Sequence, residues 1–214
     1  MTSYEGLLLD FGGVVTTDFF ASLGAHCERL GVSHDSFRNL VTADPKGREL
    51  YHQVERGELS QPAFEQKIAQ LLGVQPAGLI QGLLADLRPE PLMAEAVARA
   101  RTAGIRVGVI TNSWGTAPYD PYGAYQLDQQ FDAVVISSQV GLRKPEPAIC
   151  RLAADELAVP LGASCSLMTS PPTFSQPKSW AWPSSIMSIR AEQFTTWSVC
   201  LASQTASCAG HDGC

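Results

Sequence analysis

The sequence predicts an α/β protein: a parallel sheet covered by helices on both faces, with a block of helices inserted after the first strand. Short apolar runs at residues 7–11, 105–110 and 133–136 alternate with segments of helical periodicity. Continuous apolar strands separated by helices are the pattern of a parallel sheet buried on both sides. Residues 17–88 instead keep helical spacing and hold no convincing strand. The apolar runs lead into polar groups, and sites in such sheets lie beyond the carboxyl ends of the strands.

Residues 7–11 read as a buried strand that carries Asp10 at its end and breaks at Gly12-Gly13 into a tight turn. Phe20, Leu23, Cys27 and Leu30, then Phe64, Ile68, Leu71 and Leu72, mark apolar helix faces. Gly31, Gly57 and Gly73 read as helix ends, and Ser60 with Pro62 as a helix start. Pro89 and Pro91 open a helix with Met93, Val97 and Ala100 on its apolar face, closed by Gly104. Strands at 105–110 and 133–136 follow, and a helix at 148–157 starts from Pro147. The chain thus divides into a core of residues 1–16 and 89–163, a helical insert of residues 17–88 with hinges near 15–18 and 87–91, and a tail of residues 164–214.

The chain has 214 residues, 45% hydrophobic and 17% charged, enough to bury a real core in one or two domains. Its formal charge is -6 with no basic block, which disfavours a nucleic-acid partner, because displacing counterions from phosphates needs a basic surface. The first turn carries no positive charge and Asp10 interrupts the first apolar run, so no secretory signal is read. No stretch reaches the roughly 20 apolar residues that span a bilayer. The expectations are a cytoplasmic location and no membrane partner.

Taken singly, the polar strand ends have ordinary readings. Asp10 just before Gly12-Gly13 suits a turn, Thr111-Asn112-Ser113 suits a helix N-cap, and Lys144 before Pro145 suits a solvated lysine. Together and in order they form something more specific. The segments Leu7-Leu8-Leu9-Asp10-Phe11-Gly12-Gly13-Val14-Val15, Val109-Ile110-Thr111-Asn112-Ser113 and Gly141-Leu142-Arg143-Lys144-Pro145-Glu146-Pro147 resemble the first three motifs of the haloacid dehalogenase-like superfamily. The resemblance covers about residues 5–163.

The resemblance implies a Rossmann-like core with a small α-helical cap at residues 17–88. It makes Asp10 the nucleophile, with an aspartyl-phosphate as the covalent intermediate in the family's phosphatases. Thr111 and the adjacent backbone N–H would hold a phosphoryl oxygen, Asn112 would contact substrate, and Lys144 would neutralise charge. Mg²⁺ would bridge Asp10 and the phosphate, with the Gly12 carbonyl facing the metal. The second aspartate of the usual first motif, the general acid–base, is replaced by Gly12. Such assistance is worth about 10²–10⁴-fold. The implied activity is a Mg²⁺-dependent phosphatase of a small phosphorylated metabolite. The alternatives are halide-releasing hydrolysis, and a product that keeps the fold without catalysis.

The tail breaks the pattern. The family's fourth motif, two adjacent acidic residues followed by Asn, Ala and Gly at four-residue spacing, should follow a strand near residue 165. No acidic residue occurs from Ser164 until Glu192, and the tail holds three of the four tryptophans and four of the six cysteines. Reading each codon from its third base restores the motif. Met168-Thr169 then must encode Asp, Trp180-Ala181 Gly and Trp182-Pro183 Ala, because Met and Trp have single codons. Permitted codons elsewhere give VLLDDLPANVQPAKELGMAVVHH from Ser164 to Met187. Loss of one nucleotide near the Ser164 codon accounts for this. The tail is therefore expected to be irregular beyond about residue 168, and the chain to bind Mg²⁺ poorly. Cys200, Cys208, His211 and Cys214 lack the paired short spacings of a zinc site. His26, His34 and His52 read as exposed or capping residues of the insert.

Overall fold

Among the described residues, five strands form a single sheet: β1 (Gly6–Asp10), β2 (Arg106–Thr111), β3 (Ala133–Ile136), β4 (Ser164–Thr169) and β5 (Trp197–Cys200), in the spatial order β3-β2-β1-β4-β5. The structure, a computed structural model, describes residues 5–160 together with the backbones of β4 and β5. β1 lies at the centre, parallel to β2 and β4, while β5 runs antiparallel along the far edge of β4. Strand alternation sorts the apolar residues onto the two faces. Leu7, Leu9, Val107 and Val109 pack with Met93, Val97 and Ala100 of the helix α6 (Pro91–Thr102). Leu8, Ile110 and Val135 pack on the opposite face with Ile149, Ala153 and Leu157, at or just beyond the helix α9 (Pro147–Glu156), which follows the short helices α7 (Leu127–Gln130) and α8 (Ser137–Val140). The fold is the α/β class read from the sequence.

Between β1 and α6 lie five helices: α1 (Phe19–Arg29), α2 (Ser36–Thr42), α3 (Pro45–Glu55), α4 (Gln61–Leu72) and α5 (Leu79–Leu84). They share a core of their own, built on Leu23, Phe37, Phe64, Ile68 and Leu83. The Asp18 and Asp44 carboxylates cap α1 and α3 by accepting from the Ala21 and Gly47 N–H groups. Ser60 stands at the N-cap of α4, but its hydroxyl makes no capping bond there. The two segments joining the insert to the sheet bond to each other: Thr16 bridges Pro89, Thr17 N–H donates to Arg88 O at 2.8 Å and Glu90 N–H to Val15 O at 2.9 Å.

One residue of the sheet region belongs to the insert's core. Trp114, just after β2, has its ring centroid 5.3–5.9 Å from those of Phe19, Phe37, Tyr51 and Phe64. Gln61 of α4 reinforces the junction, donating to Gly115 O and Tyr119 O and accepting from Tyr119 N–H. Trp114→Ala should therefore destabilise the chain by about 3–5 kcal/mol, the range for emptying an aromatic site in a core. Urea unfolding followed by circular dichroism measures it, and a loss under about 1 kcal/mol would mean that the ring is dispensable.

The irregular tail expected from the sequence is corrected at one place. Trp197–Cys200 forms β5 and pairs with β4 in register, Thr169 opposite Trp197. An uncovered strand edge accepts a segment of strand-favouring residues such as Trp197 and Val199. The rest of the segment from Ser170 lies outside the described residues, as does the zinc-like set of Cys208, His211 and Cys214. No helix among the described residues is long and apolar enough to cross a membrane.

Candidate active site

Parallel pairing places the polar strand ends side by side. Asp10, the last residue of β1, is registered with Ile110, and Thr111, the last of β2, with Ile136. After Asp10 the chain coils once through Phe11–Val15, with Gly13 at φ 77°, a left-handed conformation that glycine adopts without strain. The turn is tied by Thr16, whose N–H donates to Phe11 O at 3.0 Å and whose hydroxyl accepts from Gly13 N–H at 3.1 Å. Asp10 itself is buried.

Lys144 completes the centre. Its Nζ lies 2.5 Å from Asp10 Oδ1 and donates to Ile110 O at 3.0 Å, with both charged side chains about nine-tenths buried. A solvated lysine is excluded by this placement. A close ion pair that is largely shielded from water is a strong, directional contact. The loop that carries Lys144 leaves α8 (Ser137–Val140) through Gly141 and is held by Asn112. Asn112 Oδ1 accepts from Lys144 N–H at 2.8 Å, and its Nδ2 donates to Lys144 O at 3.2 Å. Both ends of the Asn112 carboxamide are thus engaged by the lysine's backbone, where the sequence suggested substrate contact.

Thr111 is buried, with its hydroxyl 3.2 Å from the Tyr122 hydroxyl. Burial pushes the Tyr122 phenol up to about 12, against the opposing pull of hydrogen bonds with Ser113 and Thr111. Tyr122 is therefore a neutral hydroxyl at any ordinary pH. Ser113 N–H donates to Ser137 Oγ at 2.8 Å, which ties the ends of β2 and β3 together. No helix starts at Thr111-Asn112-Ser113, so the N-cap reading gives way to this network.

Gly12 faces an aromatic wall. A Cβ at that position would lie 3.3 Å from Phe19 Cδ2 and 3.4 Å from its Cγ, so the ring of α1 occupies the space a side chain would need. Sequence reasoning missed Phe19, Tyr122 and Trp114. Tyr122 and Trp114 lie in the loop after β2, where no periodicity marks a residue's direction.

Among the described residues no group of three or more His, Cys, Asp or Glu side chains could hold a metal. Asp10 supplies a carboxylate already paired with Lys144, and Gly12 a carbonyl. The end of β4 and the residue after it, Met168-Thr169-Ser170, carry no acidic residue in sequence. Mg²⁺ demands near-octahedral oxygen coordination built on carboxylates, and this donor set does not fit it.

Comparison with known proteins identifies the family. The family model for haloacid dehalogenase-like hydrolases matches residues 4–168. The chain belongs to that hydrolase family. No curated protein matches it. Solved structures that it resembles include a HAD family enzyme from Bacteroides thetaiotaomicron in complex with magnesium and inorganic phosphate (16% identity, 76% of this chain and 83% of that one, TM-score 0.51). A second is a predicted HAD-like family hydrolase from Porphyromonas gingivalis (19%, 77% and 80%, TM-score 0.56). A third is L-2-haloacid dehalogenase from Xanthobacter autotrophicus with chloropropionic acid covalently bound (17%, 75% and 68%, TM-score 0.54). At these identities the likeness is one of fold.

Proposed function

We propose that the active form of this protein hydrolyses the phosphoric monoester of a small metabolite, with Asp10 as nucleophile, and that the chain as written is catalytically impaired. The observation that carries the reading is the buried Asp10–Lys144 pair at the carboxyl end of the central strand, beside Thr111. An Asp10 oxygen attacks phosphorus and the bond from phosphorus to the leaving oxygen breaks. The departing alkoxide takes its proton from water, since Gly12 offers none. A water molecule then attacks the phosphorus of the aspartyl-phosphate, releasing phosphate and restoring Asp10.

Lys144 has two roles in this account. Its ammonium holds the attacking oxygen in place and offsets charge on the phosphoryl group. The Thr111 hydroxyl, which lies 3.2 Å from that of Tyr122, turns its proton to a phosphoryl oxygen together with the Asn112 N–H when substrate is bound. Asn112 places Lys144, consistent with its two bonds to that residue's backbone. Residues 17–88 act as the cap that closes the site from water, with the bonded segments at 15–18 and 87–91 as its connection. The acidic charge balance favours a small-molecule substrate over nucleic acid.

A second reading rests on the Phe19 ring against Gly12. Halide leaves as an anion and needs no proton, so an apolar wall suits attack of Asp10 on carbon with release of halide, followed by hydrolysis of the ester. The two readings separate by leaving group. Without a general acid, an aryl phosphate with a stabilised phenolate should turn over at least about 10²-fold faster than an alkyl phosphate, measured as phosphate release by the frame-restored chain. Equal rates for both esters would refute the missing-acid account. Halide release from 2-halo acids without phosphatase activity would favour the second reading.

A further inference from the structure

The loop bearing Lys144 is gripped from two sides, and only one of them is the sheet. On the sheet side Asn112 holds the lysine's backbone. On the other, two consecutive residues at the carboxyl end of α3 reach across from the insert. Arg143 Nε donates to Glu55 Oε2 at 2.6 Å, and Arg56 pairs with Glu146. Arg143 and Glu146 bracket Lys144-Pro145, so both contacts act on the loop that carries the ammonium.

The first contact is the buried one. The Glu55 side chain is 2% exposed and that of Arg143 14%, against 34% and 31% for Arg56 and Glu146. A buried carboxylate is tolerated only when its charge is matched and its oxygens are bonded. Glu55 meets that demand with Arg143 and a hydrogen bond from Tyr51, and Tyr51 in turn bonds to Trp114. The backbone leaves no slack either. Gly57, at φ 70°, lies so close to α8 that an added Cβ would stand 2.2 Å from Ser138 O. Lifting the insert off the sheet would strand both Glu55 and Arg143. Replacing such a pair with apolar groups commonly costs little stability, so stability alone does not explain a charge pair at this place.

We propose that Glu55 is a positioning residue for Lys144: through Arg143 it fixes the loop so that the ammonium meets Asp10, and the reactive pair is complete only while the insert is seated on the sheet. The proposal goes beyond the catalytic reading of Asp10 and Lys144 and rests on it for its functional meaning. The geometry it predicts is measurable without turnover. Lys144 is shielded and ion-paired, whereas Lys46 and Lys67 of the insert are exposed.

The test is competitive acetylation of the full chain with acetic anhydride, each lysine read by mass spectrometry. In Glu55→Gln and in Arg143→Gln, Lys144 labelling should rise about tenfold, the change for roughly 1.4 kcal/mol of lost protection. Lys46 and Lys67 should label as before, and Glu55→Asp, which keeps the charge, should return Lys144 towards the parent rate. If either variant fails to fold, the other decides. Unchanged Lys144 labelling overturns the proposal, and so does a rise at all three lysines together, which would reduce Glu55 to a general structural role. Because labelling reports the lysine's surroundings alone, it can fail while Asp10 proves to be the nucleophile, or succeed while Asp10 does not.

Discussion

Insertion of one nucleotide at the Ser164 codon should give the protein Mg²⁺ affinity and raise its phosphatase rate by at least about 10²-fold, since a bound metal's charge stabilisation is worth several kcal/mol. The effect is large because one change alters three properties of the site. It replaces the end of β4 and the residue after it, now Leu167-Met168-Thr169-Ser170, with a segment that carries paired carboxylates beside the end of β1. It returns the Asn-Ala-Gly helix pattern in place of a tail rich in Ser, Thr and Pro. It also gives the outer strand position, taken here by Trp197–Cys200, a segment of apolar periodicity. Isothermal titration with Mg²⁺, phosphate release and the soluble fraction after expression should improve together. An unmodified chain that equals the restored one in all three would refute the shifted-frame account.

In any active form, Asp10→Asn should lower turnover by at least about 10⁴-fold, the scale of loss when a nucleophile is removed from a coupled catalytic set. The substitution keeps the shape and nearly the volume of the side chain, so the fold should survive. What is lost is the attacking oxygen and the counter-charge of Lys144, whose Nζ now sits 2.5 Å from Asp10 Oδ1. Leaving that ammonium largely buried without its carboxylate would also cost stability, as a buried charge stripped of its partner does. Steady-state phosphate release by parent and variant, with unfolding midpoints as the control, gives both effects. Turnover within tenfold of the parent would remove Asp10 from the mechanism.

The sheet was readable because buried parallel strands are continuous apolar runs. Residues 133–136 were placed to the residue, and β2 was displaced by one position, at Arg106–Thr111 against 105–110. The site's polar groups were readable because each follows such a run. What the residues do to one another was less legible. Asn112 follows Thr111 in a motif, and nothing in sequence says that its carboxamide is spent on the backbone of Lys144, 32 positions away. Glu55 is one of several charged residues in a helical segment, and only tertiary packing buries it against Arg143. Trp114 was an unassigned aromatic in a loop. Its place in the insert's core depends on how two separately built cores meet, which periodicity within one segment does not encode. Phe19 falls within the segment read as helical, but its approach to Gly12, a tertiary contact, is not encoded by periodicity.

Formation of the covalent intermediate on Asp10 is tested most directly by a borohydride quench of the frame-restored chain during turnover of a phosphoric monoester. Borohydride reduces an acyl phosphate to the alcohol, so an aspartyl-phosphate becomes homoserine at that residue, and peptide mass spectrometry locates it. The account predicts homoserine at position 10, absent without substrate and absent in Asp10→Asn. Turnover that proceeds with an unmodified Asp10 peptide, or with the reduced residue elsewhere in the chain, would contradict it.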